Sequence, residues 1–141
     1  METAPLFKFA ETGSQIHIVM DSRMENVDKA ANLTREFLYN FNLGSICFST
    51  CLVLREALTN AVRHAHKYDI SKKIFYTVAA GQNEVTIKIE DQGDGFNWRK
   101  ALESEYNDHS QHGRGFKIMA AYFNTVEFNE KGTIIFLKKK F

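Results

Sequence analysis

The stretch LREALTNAVRHAH, residues 54–66, sets Glu56, Asn60 and His64 at four-residue intervals. In a helix this spacing lines a carboxylate, a carboxamide and an imidazole along one face, beside small alanines. Two glycine groups lie further along the chain. EDQGDGF carries Asp91, Gly93 and Gly95, and HGRGFKIM carries Gly113 and Gly115. Glycine lets a backbone reach positive φ and approach a ligand closely. A helix opening at the second group would present unpaired N–H groups and a positive dipole end, which suits phosphate. Either group alone also reads as a tight turn. Neither matches the P-loop or the dinucleotide fingerprint, so a phosphate site here would be built another way.

The elements that must position these residues are legible in outline. SQIHIVM (14–20) alternates as a half-buried strand does. From Asn26 to about Asn40, Val27, Ala30, Ala31, Leu33, Phe37 and Leu38 recur at helical spacing, and Gly44 follows as a break. Residues 47–66 read as a second helix. KKIFYTVAA and EVTIKIED are strands joined at GQN, a hairpin signal. A loop is expected from DQGDGF to QHGRG, then a helix over FKIMAAYF (116–123) and a second hairpin turning at EKG. The order β-α-α-ββ-α-ββ predicts an α+β fold, a two-layer sandwich with helices on one face of a mostly antiparallel sheet.

At 141 residues the chain reads as one domain over 1–141. A net charge of +1 gives no electrostatic basis for nucleic acid as a partner, and the KKKF end reads as solvated. Nothing resembles a signal peptide or a membrane span, so no membrane partner and a cytoplasmic location are expected. Cys47 and Cys51, four apart in an apolar stretch, read as packed thiols in preference to a disulfide or metal pair.

Taken in order, E-x-x-x-N-A-x-x-H, D-x-G-x-G-F after a strand, G-R-G-F-x-I-M and a late G-T at 132–133 resemble the GHKL ATPase superfamily, which includes gyrase B, histidine kinases and MutL. The resemblance runs from about residue 15 to 139 and implies an ATP site of motifs 54–66, 90–96, 113–119 and 132–133. By it, Asn60 would hold Mg²⁺, a hard cation, through its side-chain oxygen. Asp91 would accept from the adenine amino group, with Gly93, Gly95 and Phe96 passing close to base and ribose. Gly113, Arg114, Gly115 and Phe116 would meet the phosphates at the start of a helix, and Thr133 would contact adenine. Arg63 stands where many histidine kinases carry a lysine near the phosphates. His64 either faces the nucleotide or hydrogen-bonds within the helix–strand layer. Glu56 matches the glutamate that acts as general base in the hydrolases and serine kinases of the superfamily. A carboxylate there can orient a hydroxyl for in-line attack.

Within the superfamily the chain looks like the small anti-sigma factor kinases of partner-switching systems. The pattern starts soon after Met1, so a sensor kinase's dimerisation helices are not expected, and the lid between Gly95 and Gly113 is short. SRMENVDKAANLTREFL is similar to their first helix. The implied activity is Mg²⁺- and ATP-dependent phosphorylation of a serine or threonine on a STAS-domain antagonist, with a sigma factor as competing partner and a homodimer as the common assembly. Two other readings stand beside it: a nucleotide-binding adaptor with little kinase activity, and a histidine-kinase-like catalytic domain acting on another chain. His109 and His112 in the lid read as part of a mobile polar segment in preference to a metal cluster.

Overall fold

The computed structural model describes residues 4–103 and 111–141, with the backbone alone at 101–103 and 111–114. In chain order its elements are β1 (Phe7–Thr12), β2 (Gln15–Asp21), α1 (Met24–Asn40), a 3₁₀ turn (Gly44–Ile46), α2 (Cys47–Asn60), a π turn (Ala61–Ala65), β3 (Lys73–Ala80), β4 (Glu84–Asp91), α3 (Trp98–Glu103), α4 (Gln111–Tyr122), β5 (Thr125–Phe128) and β6 (Ile134–Lys140). Six strands form one antiparallel sheet in the order β1-β2-β3-β4-β6-β5. The helices pack on one face, the α+β sandwich that the element order predicts.

Alternation in the strands builds the helix-facing side of the sheet. Ile18, Tyr76, Ile89 and Ile135 are register partners in turn across β2, β3, β4 and β6, and Ile16, Val78, Ile87 and Leu137 form a second such row. All eight are buried. The residues between them point to the other face, His17, Lys88 and Phe136 exposed and Thr77 half-buried. Phe37 and Leu38 of α1, Leu54 and Leu58 of α2, and Met119 of α4 close the core from the helical side. A buried polar pair between α1 and the sheet is self-consistent. Thr34 donates its hydroxyl to the Ala30 carbonyl at 2.7 Å, so Tyr76 Oη must donate to Thr34 Oγ1 at 2.8 Å.

Four elements depart from the sequence reading. β1 is an additional strand, turning into β2 through Gly13 at φ +60°. It lies at the sheet edge with Phe9 54% exposed and Phe7 alone packed partly against the core, so backbone pairing holds it more than burial, and burial is what an apolar pattern reports. α3 occupies part of the expected loop. α4 begins at Gln111, five residues before Phe116, so Gly113 and Gly115 lie inside its first turns instead of ahead of them. The second helix stays α-helical only to Asn60. Beyond it the backbone widens into the π turn, with His66 N–H donating to Ala61 O at 2.9 Å, and Lys67 and Tyr68 leave it in the left-handed region.

Cys47 and Cys51 are free thiols with sulfurs 4.0 Å apart, Cys47 buried and Cys51 half-buried. Among the described residues no helix is long and apolar enough to cross a membrane.

Candidate functional site

A cleft of about 240 Å³ opens between the C-terminal half of α2, the loop after β4, the start of α4 and the β5–β6 hairpin. Helical spacing turns Ala57, Asn60, Ala61 and His64 toward it, which explains why alanines flank the polar stripe. Ile89, Met119 and Ile135 supply its apolar floor. The sequence motifs meet here: Asn60, His64, Asp91, Gly95, Phe96, Phe116 and Thr133 all line the cleft.

Asp91 ends β4 at one end of the cleft. Its backbone N–H donates to Thr133 O at 2.9 Å, which brings the two residues together from opposite sides of the β4–β6 join. Asp91 Oδ1 accepts the Gly93 N–H at 2.8 Å, leaving Oδ2 as the oxygen a ligand can reach. Burial pushes the Asp91 carboxyl above its ordinary range, and the Gly93 bond offsets part of that rise. Gly93 is pressed against the π turn, where a β-carbon would lie 2.8 Å from Ala65 O. Gly95, at φ +82°, crosses the β5–β6 turn so closely that a β-carbon would fall 2.0 Å from Lys131 O. That turn is fixed by Asn129, whose Oδ1 accepts the N–H groups of Gly132, Thr133 and Ile134 at 2.8–3.0 Å while its Nδ2 donates to Thr133 Oγ1.

At the other end, α4 meets the polar stripe. A β-carbon on Gly115 would lie 3.2 Å from Asn60 Nδ2 and 3.4 Å from Glu56 Oε2. Glu56 does not line the cleft itself but sits half-buried where the cleft runs up to α4. Phe116 follows Gly115 and stacks on Phe96 with centroids 6.1 Å apart, and both rings meet Phe128 edge-on. Trp98 stacks on Phe128, and Arg99 lies 4.3 Å over the Trp98 ring while pairing with Glu130 on the β5–β6 turn. The start of α3 is thereby tied to the hairpin. Arg63 is exposed and is not part of the cleft wall. Gly113 lies in the first turn of α4. His109 and the side chains of His112 and Arg114 lie outside the described residues.

Three contributors had no local pattern to reveal them. Lys67 and Asp94 line the cleft from the ends of loops. His66 is buried beneath it, Nε2 accepting the Gln92 N–H at 2.8 Å and Nδ1 lying 3.0 Å from Ser22 Oγ. Its signal in the sequence, a histidine two after His64 at the end of an apolar helix, does not tell it from a surface residue.

An apolar slot with a carboxylate at one end, and a carboxamide beside Gly115 of α4 at the other, has the shape and donor set for a purine nucleotide with its phosphates toward α4. Among the described residues no group of three His, Cys, Asp or Glu side chains could hold a metal. A divalent ion would take Asn60 Oδ1 as its protein ligand and the phosphates for much of the rest, as Mg²⁺ does.

Comparison with known proteins gives the family. Residues 20–139 match the model of the histidine kinase-like ATPase domain. The chain is 34% identical to an anti-sigma F factor of Clostridium perfringens over 92 residues, 60% of this chain and 66% of that one. It is 32% identical to the anti-sigma F factor of Geobacillus thermodenitrificans over 95 residues, 62% and 64% of the two chains. A sensor protein of Staphylococcus haemolyticus, VraS, is 29% identical over 86 residues, 61% of this chain but 23% of that one. The chain thus spans just under two thirds of the length of the anti-sigma F factors that it matches.

Proposed function

The chain belongs to the histidine kinase-like ATPase family, and from that premise we propose that it is a serine/threonine-protein kinase of the anti-sigma factor type. It uses ATP and Mg²⁺ to phosphorylate a STAS-domain antagonist and thereby governs a sigma factor or a similar partner. The whole of 1–141 acts as one catalytic domain, in the cytoplasm and as a homodimer.

The observation that carries the reading is the convergence of Glu56 and Asn60 on Gly115 at the start of α4. An adenine held by Asp91 and Thr133 directs the phosphates toward that point. Asn60 would hold Mg²⁺, which when bound supplies neutralisation of charge on the transferring phosphate. The carboxylate of Glu56 accepts the proton of a serine or threonine hydroxyl while that oxygen bonds to the γ-phosphorus. The bond from phosphorus to the bridging oxygen breaks and ADP leaves. Gly115 admits this approach because it has no side chain to stand between Asn60 and the phosphates. Phe96, Phe116 and Phe128 keep water from one wall of the cleft. The similarity to anti-sigma F factors supports the choice of a protein hydroxyl as acceptor.

The test is transfer of ³²P from γ-labelled ATP to the STAS protein encoded nearest to this chain, with Glu56→Ala as control. Acid-stable label on the STAS protein, lost in the control, is expected. Nucleotide binding without any label would point to the adaptor reading instead.

A further inference from the structure

His66 joins three elements that the cleft needs together. It leaves the π turn at the end of α2 and is 2% exposed. Its Nε2 accepts the backbone N–H of Gln92, the residue between Asp91 and Gly93, at 2.8 Å. An amide can only donate, so Nε2 carries no proton, and Nδ1–H is left to donate to Ser22 Oγ at 3.0 Å at the entry to α1. Gln92 is fixed from its other side as well, its Oε1 accepting the Lys73 N–H at 2.8 Å. Gly93 then seats against Ala65 O of the same π turn. The Asp91–Gly93 loop is thus clamped at its midpoint to the helix that carries Asn60.

We propose that His66 is a positioning residue for the nucleotide, a neutral imidazole that holds the Asp91 carboxylate in register with Asn60. This deepens the nucleotide reading of the cleft and rests on it. A protonated His66 would set an N–H against the Gln92 N–H, and the loop would have to move away. Burial already disfavours the charged ring, and Lys72 acts in the same direction against the weaker opposing pull of Asp69. The other charges near the clamp are engaged: Asp21 and Arg23, which flank Ser22, pair at 3.0 Å, and Asp91 holds Gly93. Because the folded ring prefers to be neutral, the clamp holds through the ordinary histidine pKa near 6.5 and is lost only as the pH falls below it, through the lowered value of the folded ring.

The test follows binding of fluorescent mant-ADP from pH 8 to pH 5, with hydrogen exchange at the Gln92 amide at pH 7.5 as a readout independent of nucleotide. His66→Gln keeps an acceptor near Nε2 but does not titrate. It should bind within about twofold of the unaltered protein at pH 7.5 and show a shallower acid-side fall in affinity, what remains being the titration of Asp91. His66→Leu has no acceptor, and should bind about tenfold more weakly at every pH with a fast-exchanging Gln92 amide. Superimposable acid limbs in the unaltered protein and His66→Gln would overturn the proposal, and so would undiminished affinity in His66→Leu. Should His66→Leu fail to fold, the comparison with His66→Gln decides alone. Undiminished affinity in Asp91→Asn would overturn the nucleotide reading instead, and Gln92 exchange would then judge the clamp by itself.

Discussion

Gly115 stands against the side-chain amide of Asn60 at a distance that only a residue without a β-carbon tolerates unaltered, 3.2 Å from the ideal Cβ to Nδ2. The contact is where the helix bearing the polar stripe meets the helix that begins at the glycine cluster. It separates two properties that usually move together, because alanine favours a helix and disfavours this approach.

Gly115→Ala should therefore leave the fold as stable or up to about 1 kcal/mol more stable, since glycine is the poorer helix former. It should weaken Mg²⁺-nucleotide binding about tenfold by displacing the Asn60 and Glu56 side chains. Thermal melts with and without Mg²⁺-ATP measure both effects, and the nucleotide-induced rise in Tm should shrink.

Glu56→Gln keeps the size of the side chain and removes its basicity. Nucleotide affinity should stay within about threefold, while phosphoryl transfer falls by roughly 10²–10⁴, the usual contribution of a general base. Equal transfer rates in single-turnover assays would remove Glu56 from the chemistry.

Asp91 has its carboxyl raised by burial, so its negative charge opposes folding. Its contribution to stability is full at acid pH, below the ordinary carboxylate range, and is lost as the pH rises through the raised value. At pH 7 Asp91→Asn should raise the Tm of the nucleotide-free protein by about 2–4 °C. The same change should weaken adenine nucleotides by about ten- to a hundredfold, since an amide whose oxygen holds Gly93 turns its NH₂ toward the adenine amino group. Calorimetry and mant-nucleotide titration together test the pairing.

Gly95→Ala meets Lys131 O and a φ of +82°, neither of which can adjust without moving backbone. It should cost about 2 kcal/mol or more and release the β5–β6 turn, read as a loss in Tm together with loss of nucleotide binding.

The Cys51 thiol is pushed up to about 12, by burial first and by Cys47 beside it second. Although half-exposed, it should be modified by iodoacetamide far more slowly than a free cysteine at pH 8, because little thiolate forms. Denaturation should restore ordinary reactivity.

The parts of this molecule that could be read in advance are those where chemistry or periodicity dictates residue type. The spacing of Glu56, Asn60 and His64 announces a polar face along α2 and the π turn after it, and Asp91 with its glycines announces a strand end where the backbone must pass close to something. The start of α4 was hidden because Gly113 and Gly115 are poor helix formers, each costing about 1 kcal/mol against alanine, and packing against α2 overrides that preference. β1 was hidden because an edge strand is stabilised by the hydrogen bonds of β2 and leaves Phe9 in solvent. His66 was hidden for a different reason: its partner is the main-chain amide of Gln92, 26 residues away, and no side-chain pattern records such a bond.

The strand order has a consequence for how the protein reaches this state. β1–β2, β3–β4 and β5–β6 are hairpins of near neighbours, whereas β2–β3 and β4–β6 join segments separated by entire helices. Each of those two closures carries the entropy of a long loop and is the slower event. Asp91 and Thr133 meet only when β4 finds β6, so a chain that has formed its hairpins alone has nothing to offer a nucleotide. A nucleotide bound as proposed would accordingly act on the finished fold: it would hold the last-joined strands together and lengthen the lifetime of the native state, while leaving the rate at which the chain first folds unchanged.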